Sequence, residues 1–186
     1  MHMVHLAKRW TVEDVQTLPD DGNRYEVVDG ELLVTPAPSH AHQRMVLALA
    51  HRLMHHLGKH GPHEVLVSPA EVRLGANAMV QPDLFVVPRP AGRPSSWSEL
   101  ALPLLVVEVL SPSTARSDRF VKRRLYQREG ILEYWIVDLD ARAIERWRPA
   151  DERPELLDDR IEWQPSEAEA PFVLELEPLF REVLDG

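Results

Sequence analysis

The amino-acid sequence predicts a mixed-sheet domain of the α/β (α+β) class, built from hairpin-connected strands and two sizeable helices. Short β-branched and apolar runs alternate with turn signals, and two longer segments carry the spacing of amphipathic helices. The chain has 186 residues, of which 44% are hydrophobic and 27% are charged. These values are ordinary for a soluble globular protein, and the length suits a single domain over residues 1–186.

The first part of the chain predicts a short helix followed by a β-hairpin. A capping-box pattern that begins at Thr11 predicts the helix over residues 12–18. The dipeptide Asp29-Gly30 lies between apolar and β-branched residues, which is a strong signal for a two-residue hairpin turn. The strands of this hairpin are expected over residues 24–28 and 31–35.

A long helix and a group of short strands follow the hairpin. Ser39 is a natural N-cap for a helix over residues 40–57, whose apolar stripe predicts packing against a sheet. Pro82 is expected at a strand edge or bulge, because proline cannot donate a hydrogen bond to a sheet. The apolar runs predict strands or a hairpin over residues 65–67, 70–74 and 79–87, followed by a surface loop over residues 88–99.

The second half of the chain predicts one central strand and one further sizeable helix. Residues 102–110 are nearly all apolar, a pattern typical of a strand buried on both faces. The helix is expected over residues 117–129, with Gly130 as its terminator. The other predicted elements are strands over residues 134–138, 143–147 and 172–176 and a last helix over residues 179–184.

Composition excludes several classes of function. A net charge of −9 argues against a broad, non-specific affinity for nucleic acid. The chain has no cysteine, so disulfides, thiolate metal sites and cysteine nucleophiles are excluded, and a reducing compartment is favoured. The longest apolar run is far shorter than the roughly 20 residues that span a bilayer. We therefore expect a cytoplasmic protein with no membrane partner.

Two carboxylates stand out because they interrupt apolar strands. Glu108 lies within Pro103-Leu-Leu-Val-Val-Glu-Val-Leu110, where an unpaired buried carboxylate would cost several kcal/mol. A structural arginine partner would relieve that cost, and so would a functional site. If the strand that begins near Asp83 is its neighbour, both carboxylates can converge on one hard cation with oxygen ligands.

A basic run contrasts with the acidic character of the whole chain. Lys122 lies in the helix after the Glu108 strand, so its ammonium group could reach the carboxylates, or it could lie on a solvated helix face. Arginines of this run are candidates for contact with a DNA backbone, namely Arg116, Arg119, Arg123 and Arg124. Between Arg116 and Arg128 the chain carries six basic residues against Asp118 alone.

These segments together resemble the Uma-type family of bacterial restriction endonucleases, which belongs to the PD-(D/E)XK nuclease superfamily. The resemblance covers residues from about Thr11 to Arg148 and leaves residues 149–186 as a C-terminal extension. It is carried by several motifs that occur in order along the chain. They are Tyr25-Glu-Val-Val-Asp-Gly-Glu-Leu32, Pro82-Asp-Leu, Val106-Val-Glu-Val-Leu-Ser-Pro-Ser-Thr114, Asp118-Arg-Phe-Val-Lys122, Tyr126 and Gly130-Ile-Leu-Glu-Tyr-Trp-Ile-Val-Asp138.

The resemblance implies a restriction-endonuclease-like fold, with a mixed central sheet flanked by helices and additional N- and C-terminal strands. It also implies hydrolysis of DNA phosphodiester bonds with Mg²⁺, for which Mn²⁺ can substitute. Asp83 and Glu108 are then the catalytic acids and metal ligands, and either Glu26 or Glu31 is a further acid near the site. Leu110 stands where the superfamily usually keeps a lysine, and the resemblance implies that Lys122 substitutes for it.

Three other interpretations remain open from the sequence. A non-catalytic module that binds nucleic acid or protein could retain the fold, and a glycosidase built on the acid pair is a distant third possibility. His51 and His55 have the i, i+4 spacing of a zinc site but lie off the apolar stripe. His42 either faces the carboxylates or is a core histidine. The sequence allows a homodimer without specifying one.

Overall fold

A computed structural model describes residues 8–59, 61–167 and 169–186 of the chain. In this part of the chain the elements in order are α1 (Val12–Gln16), β1 (Arg24–Val28), β2 (Glu31–Thr35), α2 (His40–Leu57), β3 (His63–Val67), β4 (Val72–Leu74), β5 (Ala78–Val80), β6 (Leu84–Pro88), β7 (Leu105–Val109), α3 (Arg123–Arg128), β8 (Glu133–Asp138), β9 (Ala143–Trp147), β10 (Glu155–Leu157), β11 (Arg160–Trp163), β12 (Phe172–Glu175) and α4 (Leu176–Leu184). A 3-10 turn at Trp97–Glu99 and a π-helical segment at Ser117–Lys122 complete them.

The central sheet has six strands in the order β10-β9-β8-β7-β6-β3. Its β7–β8 pair is parallel, and its other pairs are antiparallel. A second sheet has the order β2-β1-β5-β4, and β11 pairs with β12. Because parallel neighbours need a crossover connection, the helical segment between β7 and β8 is placed against one face of the central sheet.

Alternation along β7 sets the two faces of the central sheet. Leu105, Val107 and Val109 pack in the core shared with α2, α4 and the β11–β12 hairpin. Val106 points the other way, into the core shared with the four-stranded sheet and α3. Since side chains alternate with a period of two, Glu108 lies on the same face as Val106. The fold is therefore the mixed α/β arrangement that the sequence predicts.

The hairpin and the long helix are confirmed. Asp29 and Gly30 both have positive φ, at 52° and 90°, as the two-residue turn between β1 and β2 requires. The Ser39 side chain accepts a hydrogen bond from the backbone N–H of His42, which caps α2. None of the helices in the described residues has the length and apolar character that a membrane-spanning helix needs.

Several predicted boundaries are wrong for local reasons. The strand expected over residues 79–87 is divided between two sheets. The segment Gln81-Pro82-Asp83 connects β5 in the four-stranded sheet with β6 in the central sheet. The strand expected over residues 102–110 begins only at Leu105, after Pro103.

The C-terminal region is richer in structure than expected. It contains β10 and β11 in addition to the predicted β12. These two strands were not predicted, because short strands with charged residues lack a recognisable apolar run. Helix α4 begins at Leu176 rather than Leu179, since Pro178 falls in its first turn, where a missing N–H is tolerated.

The helix expected over residues 117–129 changes its hydrogen-bonding pattern partway. Residues Ser117–Lys122 are π-helical, and the backbone N–H of Arg123 donates to the carbonyl of Asp118, five residues earlier. The hydroxyl of Tyr134 donates to the same carbonyl at 3.2 Å. Short π segments inside α-helices are rare and often mark functional sites. This one carries Asp118 and Lys122 into the interior, where both are buried.

Candidate active site

A cleft of about 800 Å³ opens at the ends of β6 and β7, beside the N-terminus of α2. We call it the acid cleft. Its floor contains Asp83 and Glu108, and its rim includes the loop after β7 and the turn between β8 and β9. The charged and titratable residues that line it are Arg24, His42, Asp83, Glu108, Arg119, Asp138, Asp140 and Arg142.

Strand pairing brings Asp83 and Glu108 to the same place. Strands β6 and β7 are antiparallel, with Leu84 opposite Val107, so the register extended by one residue sets Asp83 opposite Glu108. Residues that are directly opposite in an antiparallel pair project from the same face. The backbone N–H of Val109 donates to Asp83 Oδ2 at 2.8 Å, which ties the Asp83 side chain to β7.

Asp83 is held by two further partners. Arg24 Nη1 donates to Oδ1 at 2.7 Å, and His42 Nε2 lies 2.9 Å from Oδ2. Burial by itself would raise the pKa of Asp83, but the hydrogen bond from His42 and the charge of Arg24 hold that pKa well below its usual range. Arg24 and the hydrogen bonds from His42 and Val109 therefore favour the ionised form of Asp83.

Arg24 is fixed as firmly as the aspartate that it contacts. Its Nη1 also donates to the Gln81 carbonyl and to Ser68 Oγ, each at 3.1 Å. Burial would lower the pKa of Arg24, but the charges of Asp83 and Glu108 raise it above its ordinary value. A permanent cation thus stands beside the acid pair.

Glu108 has two oxygens in different surroundings. Oε1 accepts from Lys122 Nζ at 2.9 Å and from the Tyr126 hydroxyl at 3.2 Å. Among the described residues no hydrogen bond engages Oε2, and Glu108 lines the acid cleft. One oxygen is therefore anchored in the interior while the other remains available to a ligand.

Behind Glu108 lies a closed group of charges, in which Lys122 is the centre. Its ammonium nitrogen is 2.9 Å from Glu26 Oε2, 2.9 Å from Glu108 Oε1 and 3.5 Å from Asp118 Oδ1. Lys122 has only 1% of its surface exposed, and it does not line the acid cleft. It reaches the cleft only through Glu108.

Burial and mutual charge shift the ionisation of this group. Burial raises the pKa of Glu108 well above its ordinary value. The charges of Asp83 and Asp118 raise this pKa further, whereas the charge of Lys122 lowers it. Burial likewise raises the pKa of Asp118. Burial would lower the pKa of Lys122, but Glu108 and Glu26 raise it well above the ordinary value. The ammonium is permanent, whereas Glu108 and Asp118 hold protons more tightly than usual.

The four buried carboxylates outnumber the two permanent cations. Glu26, Asp83, Glu108 and Asp118 face Arg24 and Lys122, so full ionisation would leave two uncompensated negative charges when His42 is neutral. A divalent cation would remove that excess.

The donor atoms also suit Mg²⁺. In the part of the chain that the structure describes, no three His, Asp or Glu side chains form a ready-made metal cage. Mg²⁺ does not need one, because it commonly binds through one or two carboxylates and completes its shell with water and phosphate oxygens. The residues present therefore fit this ion, with Asp83 and Glu108 as the two carboxylates that line the cleft.

The structure distinguishes between the two further acids that the sequence nominated. Glu26 is buried, because β1 turns it to the same face as Val28, toward the central sheet. Its Oε1 accepts from the backbone N–H of Gln81 at 2.7 Å. Glu31 lies across from Val28 on the edge strand β2 and is exposed, so its placement near the acid pair was wrong.

The four arginines nominated for DNA contact do not form one surface. Arg119 pairs with Asp138 at 2.9 Å and with Glu145 at 2.6 Å at the rim of the acid cleft. Arg123 lies over the ring of Trp147, on another side of the helix. Arg116 and Arg124 are exposed and line a different groove.

Sequence reasoning missed two members of the charge network. Asp118 lies four residues before Lys122, a spacing that puts both on one helix face and could have indicated the contact. Arg24 lies two residues before Glu26 on β1, so both project from one face of the strand. Its contact with Asp83 spans 59 residues and had no local signal.

The structure also shows where the three nominated histidines and Leu110 lie. His42 is buried and faces Asp83, as one of the two alternatives expected. His51 and His55 are exposed on the outer side of α2. Leu110 lines the acid cleft and packs on the core beneath it, so its apolar side chain brings no charge to the cleft.

Comparison with known proteins identifies relatives in fold and family. No curated protein matches the chain. The crystal structure of a putative nuclease belonging to DUF820 from Anabaena variabilis is similar with a TM-score of 0.77 and 19% sequence identity, covering 94% of this chain and 99% of that one. This similarity shows a shared fold. The family model named Uma2, described as putative restriction endonuclease, matches residues 12–184, and the chain therefore belongs to that nuclease family.

Proposed function

We propose that this protein is a metal-dependent endonuclease that hydrolyses DNA phosphodiester bonds. The observation that carries the proposal is the placement of Asp83 and Glu108 on paired strands at one cleft, with Lys122 buried directly behind them. Isolated acids in apolar strands are costly to maintain, and perturbed pKa values at a cleft are typical of reactive sites. Membership of a restriction endonuclease family supports nucleic acid as the substrate.

Asp83 and Glu108 would hold Mg²⁺, with Mn²⁺ as a substitute. When bound, the ion would polarise a phosphate oxygen and lower the pKa of a bound water. Asp83 presents an ionised carboxylate because Arg24 and His42 fix its orientation and keep its pKa low. Glu108 presents Oε2 because Lys122 and Tyr126 restrain Oε1.

The cations have separate tasks in this proposal. Lys122 lies beneath Glu108 and lowers the cost of its ionisation once the proton has left. Arg24 lines the cleft itself beside Asp83, so its guanidinium is a fixed positive charge that a phosphate oxygen could approach. The usual superfamily lysine position is Leu110, and its side chain contributes no charge.

One observation favours a non-catalytic binding module as the second candidate. Each of the four buried carboxylates already lies within 3.5 Å of a cationic side chain, so each has a positively charged neighbour without a metal. A protein that had lost activity but retained the fold would keep such a network for stability. In a nuclease, substitution of Glu108 should change both metal binding and cleavage of the substrate. In a binding module it should change neither.

The deciding experiment is plasmid cleavage with Mg²⁺, with Mn²⁺ and with EDTA, comparing wild type, Glu108→Gln and Glu152→Gln. Wild type should nick or linearise the plasmid only with metal, and Glu108→Gln should lose at least about 10³-fold in rate, as expected for several kcal/mol of lost charge stabilisation. Glu152→Gln removes an exposed acid outside the acid cleft and should cleave like wild type. Cleavage that persists in EDTA, or equal activity of wild type and Glu108→Gln, would contradict the proposal.

A further inference from the structure

A second groove of about 840 Å³ adjoins the acid cleft. It runs between β2 and the outer side of the helical segment that contains the π turn. We call it the basic groove. Thr35, Ser113 and Thr114 line both the basic groove and the acid cleft, so the two are continuous. A nucleic-acid strand bound in the acid cleft could therefore continue into the basic groove.

The helical wall of the basic groove alternates cations with an aromatic ring. Arg116, Phe120 and Arg124 follow each other at four-residue spacing, and all three line the groove. Phe120 has 54% of its surface exposed, which is unusual for such a large apolar side chain. Among the described residues neither Arg116 nor Arg124 has an ion-pair partner, whereas Arg128 at the end of the groove is paired with Asp29.

The opposite wall is apolar and belongs to the edge strand β2. Val34 has 49% of its surface exposed, and Leu32 and Leu33 line the groove beside it. Apart from Glu31, whose exposed carboxylate also lines it, the groove combines a flat apolar interior with two guanidinium groups that have no ion-pair partner among the described residues. Surfaces that bind single-stranded nucleic acid have this composition, because aromatic rings stack on bases while arginines follow the phosphates.

We propose that the basic groove binds single-stranded DNA adjoining the scissile phosphate, with a base stacked on Phe120 and phosphates contacting Arg116 and Arg124. This inference rests on the proposed function for its substrate class. A base can stack on Phe120 only when its face is exposed, and duplex DNA hides that face between neighbouring base pairs. The protein should therefore prefer single strands, gaps or flaps to duplex DNA without unpaired bases.

A second copy of the chain is the main rival occupant. A symmetric contact would bring the same patch of both copies together, so two copies each of Arg116, Arg124 and Glu31 would share one interface. Four guanidinium groups against two carboxylates leave that contact with excess positive charge, whereas a polyanion satisfies both arginines. Charge complementarity and continuity with the acid cleft thus favour a DNA strand.

The test is binding of a fluorescent single-stranded DNA 20-mer in EDTA, where cleavage does not contribute. The same sequence is measured as blunt duplex and as RNA, and the size of the free protein is measured by sedimentation. Phe120→Ala should weaken single-strand binding by about 5- to 150-fold, the range found when one stacking platform is removed. Phe120→Trp should retain affinity, since it keeps a stacking surface.

The charge contribution is tested with the double variant Arg116→Gln, Arg124→Gln. Two lost phosphate contacts should reduce the salt dependence of single-strand affinity by about 1.4 in log–log slope, at roughly 0.7 per contact. The matched controls are Leu132→Ala, which is 52% exposed outside both grooves, and Arg153→Gln, an exposed arginine remote from them. Both controls should bind like wild type.

The outcomes separate this proposal from the nuclease proposal. Equal affinity for single strand and duplex, wild-type binding by Phe120→Ala, or tighter binding of RNA would overturn the assignment to single-stranded DNA. A dimer that dissociates in Phe120→Ala would assign the groove to a second copy instead. Phe120-dependent binding by a protein that cleaves no DNA would support the groove and contradict the nuclease.

Discussion

The helical segment that follows β7 has one buried face and one exposed face. Asp118, Lys122 and Tyr126 lie on one face and are buried with at most 1% of their surface exposed. Arg116, Phe120 and Arg124 lie two residues earlier in each case and are exposed. Two residues correspond to about 200° of rotation in an α-helix, so the two sets point in nearly opposite directions.

The comparison shows that burial, rather than residue type, decides what a basic side chain does. Lys122 and Arg124 belong to the same basic run, yet one is surrounded by three carboxylates and the other has no partner within the described residues. Breaking a buried charge network leaves uncompensated charges in the interior, while the loss of an exposed charge changes little. We therefore expect substitutions on the buried face to change stability and the proposed metal binding, and substitutions on the exposed face to change the proposed binding of DNA.

The largest expected difference is in stability, between Lys122→Met and Arg124→Met. Lys122→Met should lower the free energy of unfolding by about 3–5 kcal/mol, because Glu26, Glu108 and Asp118 lose their shared cation. Arg124→Met should stay within about 0.5 kcal/mol of wild type. Urea unfolding of the metal-free protein measures both, and equal losses would show that the two faces are energetically alike.

A second expected effect concerns metal binding. A cation held by Asp83 and Glu108 should stabilise wild type by about 2.7 kcal/mol at a concentration 100 times its Kd. The double variant Asp83→Asn, Glu108→Gln should show no shift in Tm with Mn²⁺, while Arg116→Gln should keep the wild-type shift. Isothermal calorimetry with Mn²⁺ provides the affinities, and undiminished affinity in the double variant would place the metal elsewhere.

A third expected effect is the dependence of stability on pH. Because its pKa is raised in the folded protein, Glu108 keeps a proton that the unfolded chain releases near pH 4.3. Its stabilising contribution is complete below that pH and is lost as the pH rises through the folded pKa, with a slope of up to about 1.4 kcal/mol per pH unit. The pKa of Asp83 is lowered, so its contribution is present above about pH 4 and is lost on acidification.

Glu108→Gln isolates this dependence. Unfolding measured between pH 5 and pH 9 without metal should show a shallower decline in the variant than in wild type, since glutamine does not titrate. Identical slopes would mean that Glu108 ionises normally and that Lys122 alone offsets its burial.

The smallest expected effect concerns single hydroxyl and ring groups on the two faces. Tyr126→Phe removes the 3.2 Å hydrogen bond to Glu108 Oε1 and should cost about 1 kcal/mol of stability. Phe120→Leu, on the exposed face, should change stability by less than about 0.5 kcal/mol. Thermal unfolding of both variants checks the order, and a larger loss for Phe120→Leu would reverse the comparison.

Local chemistry was sufficient to predict most of the elements and the acid pair. The apolar runs around Asp83 and Glu108 predict buried strands, in which an unpaired acid is costly, and the pairing of β6 with β7 then makes the two strands neighbours. The Asp29-Gly30 turn and the stripe over residues 40–57 likewise depend on neighbours in sequence. The sequence did not predict the short strands β10 and β11, because their formation depends on pairing with β9 and β12 rather than on their own composition.

The sequence by itself determined the alternation that turns Glu108 to one face of β7, the proximity of Lys122 to the end of that strand, and the family. Only the tertiary structure decided that Arg24 reaches Asp83 across 59 residues, that Glu26 rather than Glu31 joins the site, and which basic residues are buried. The physical reason is that burial depends on how separate elements pack. No pattern within one helix reveals which face the sheets will cover, so the closed charge network and the basic groove became visible only in three dimensions.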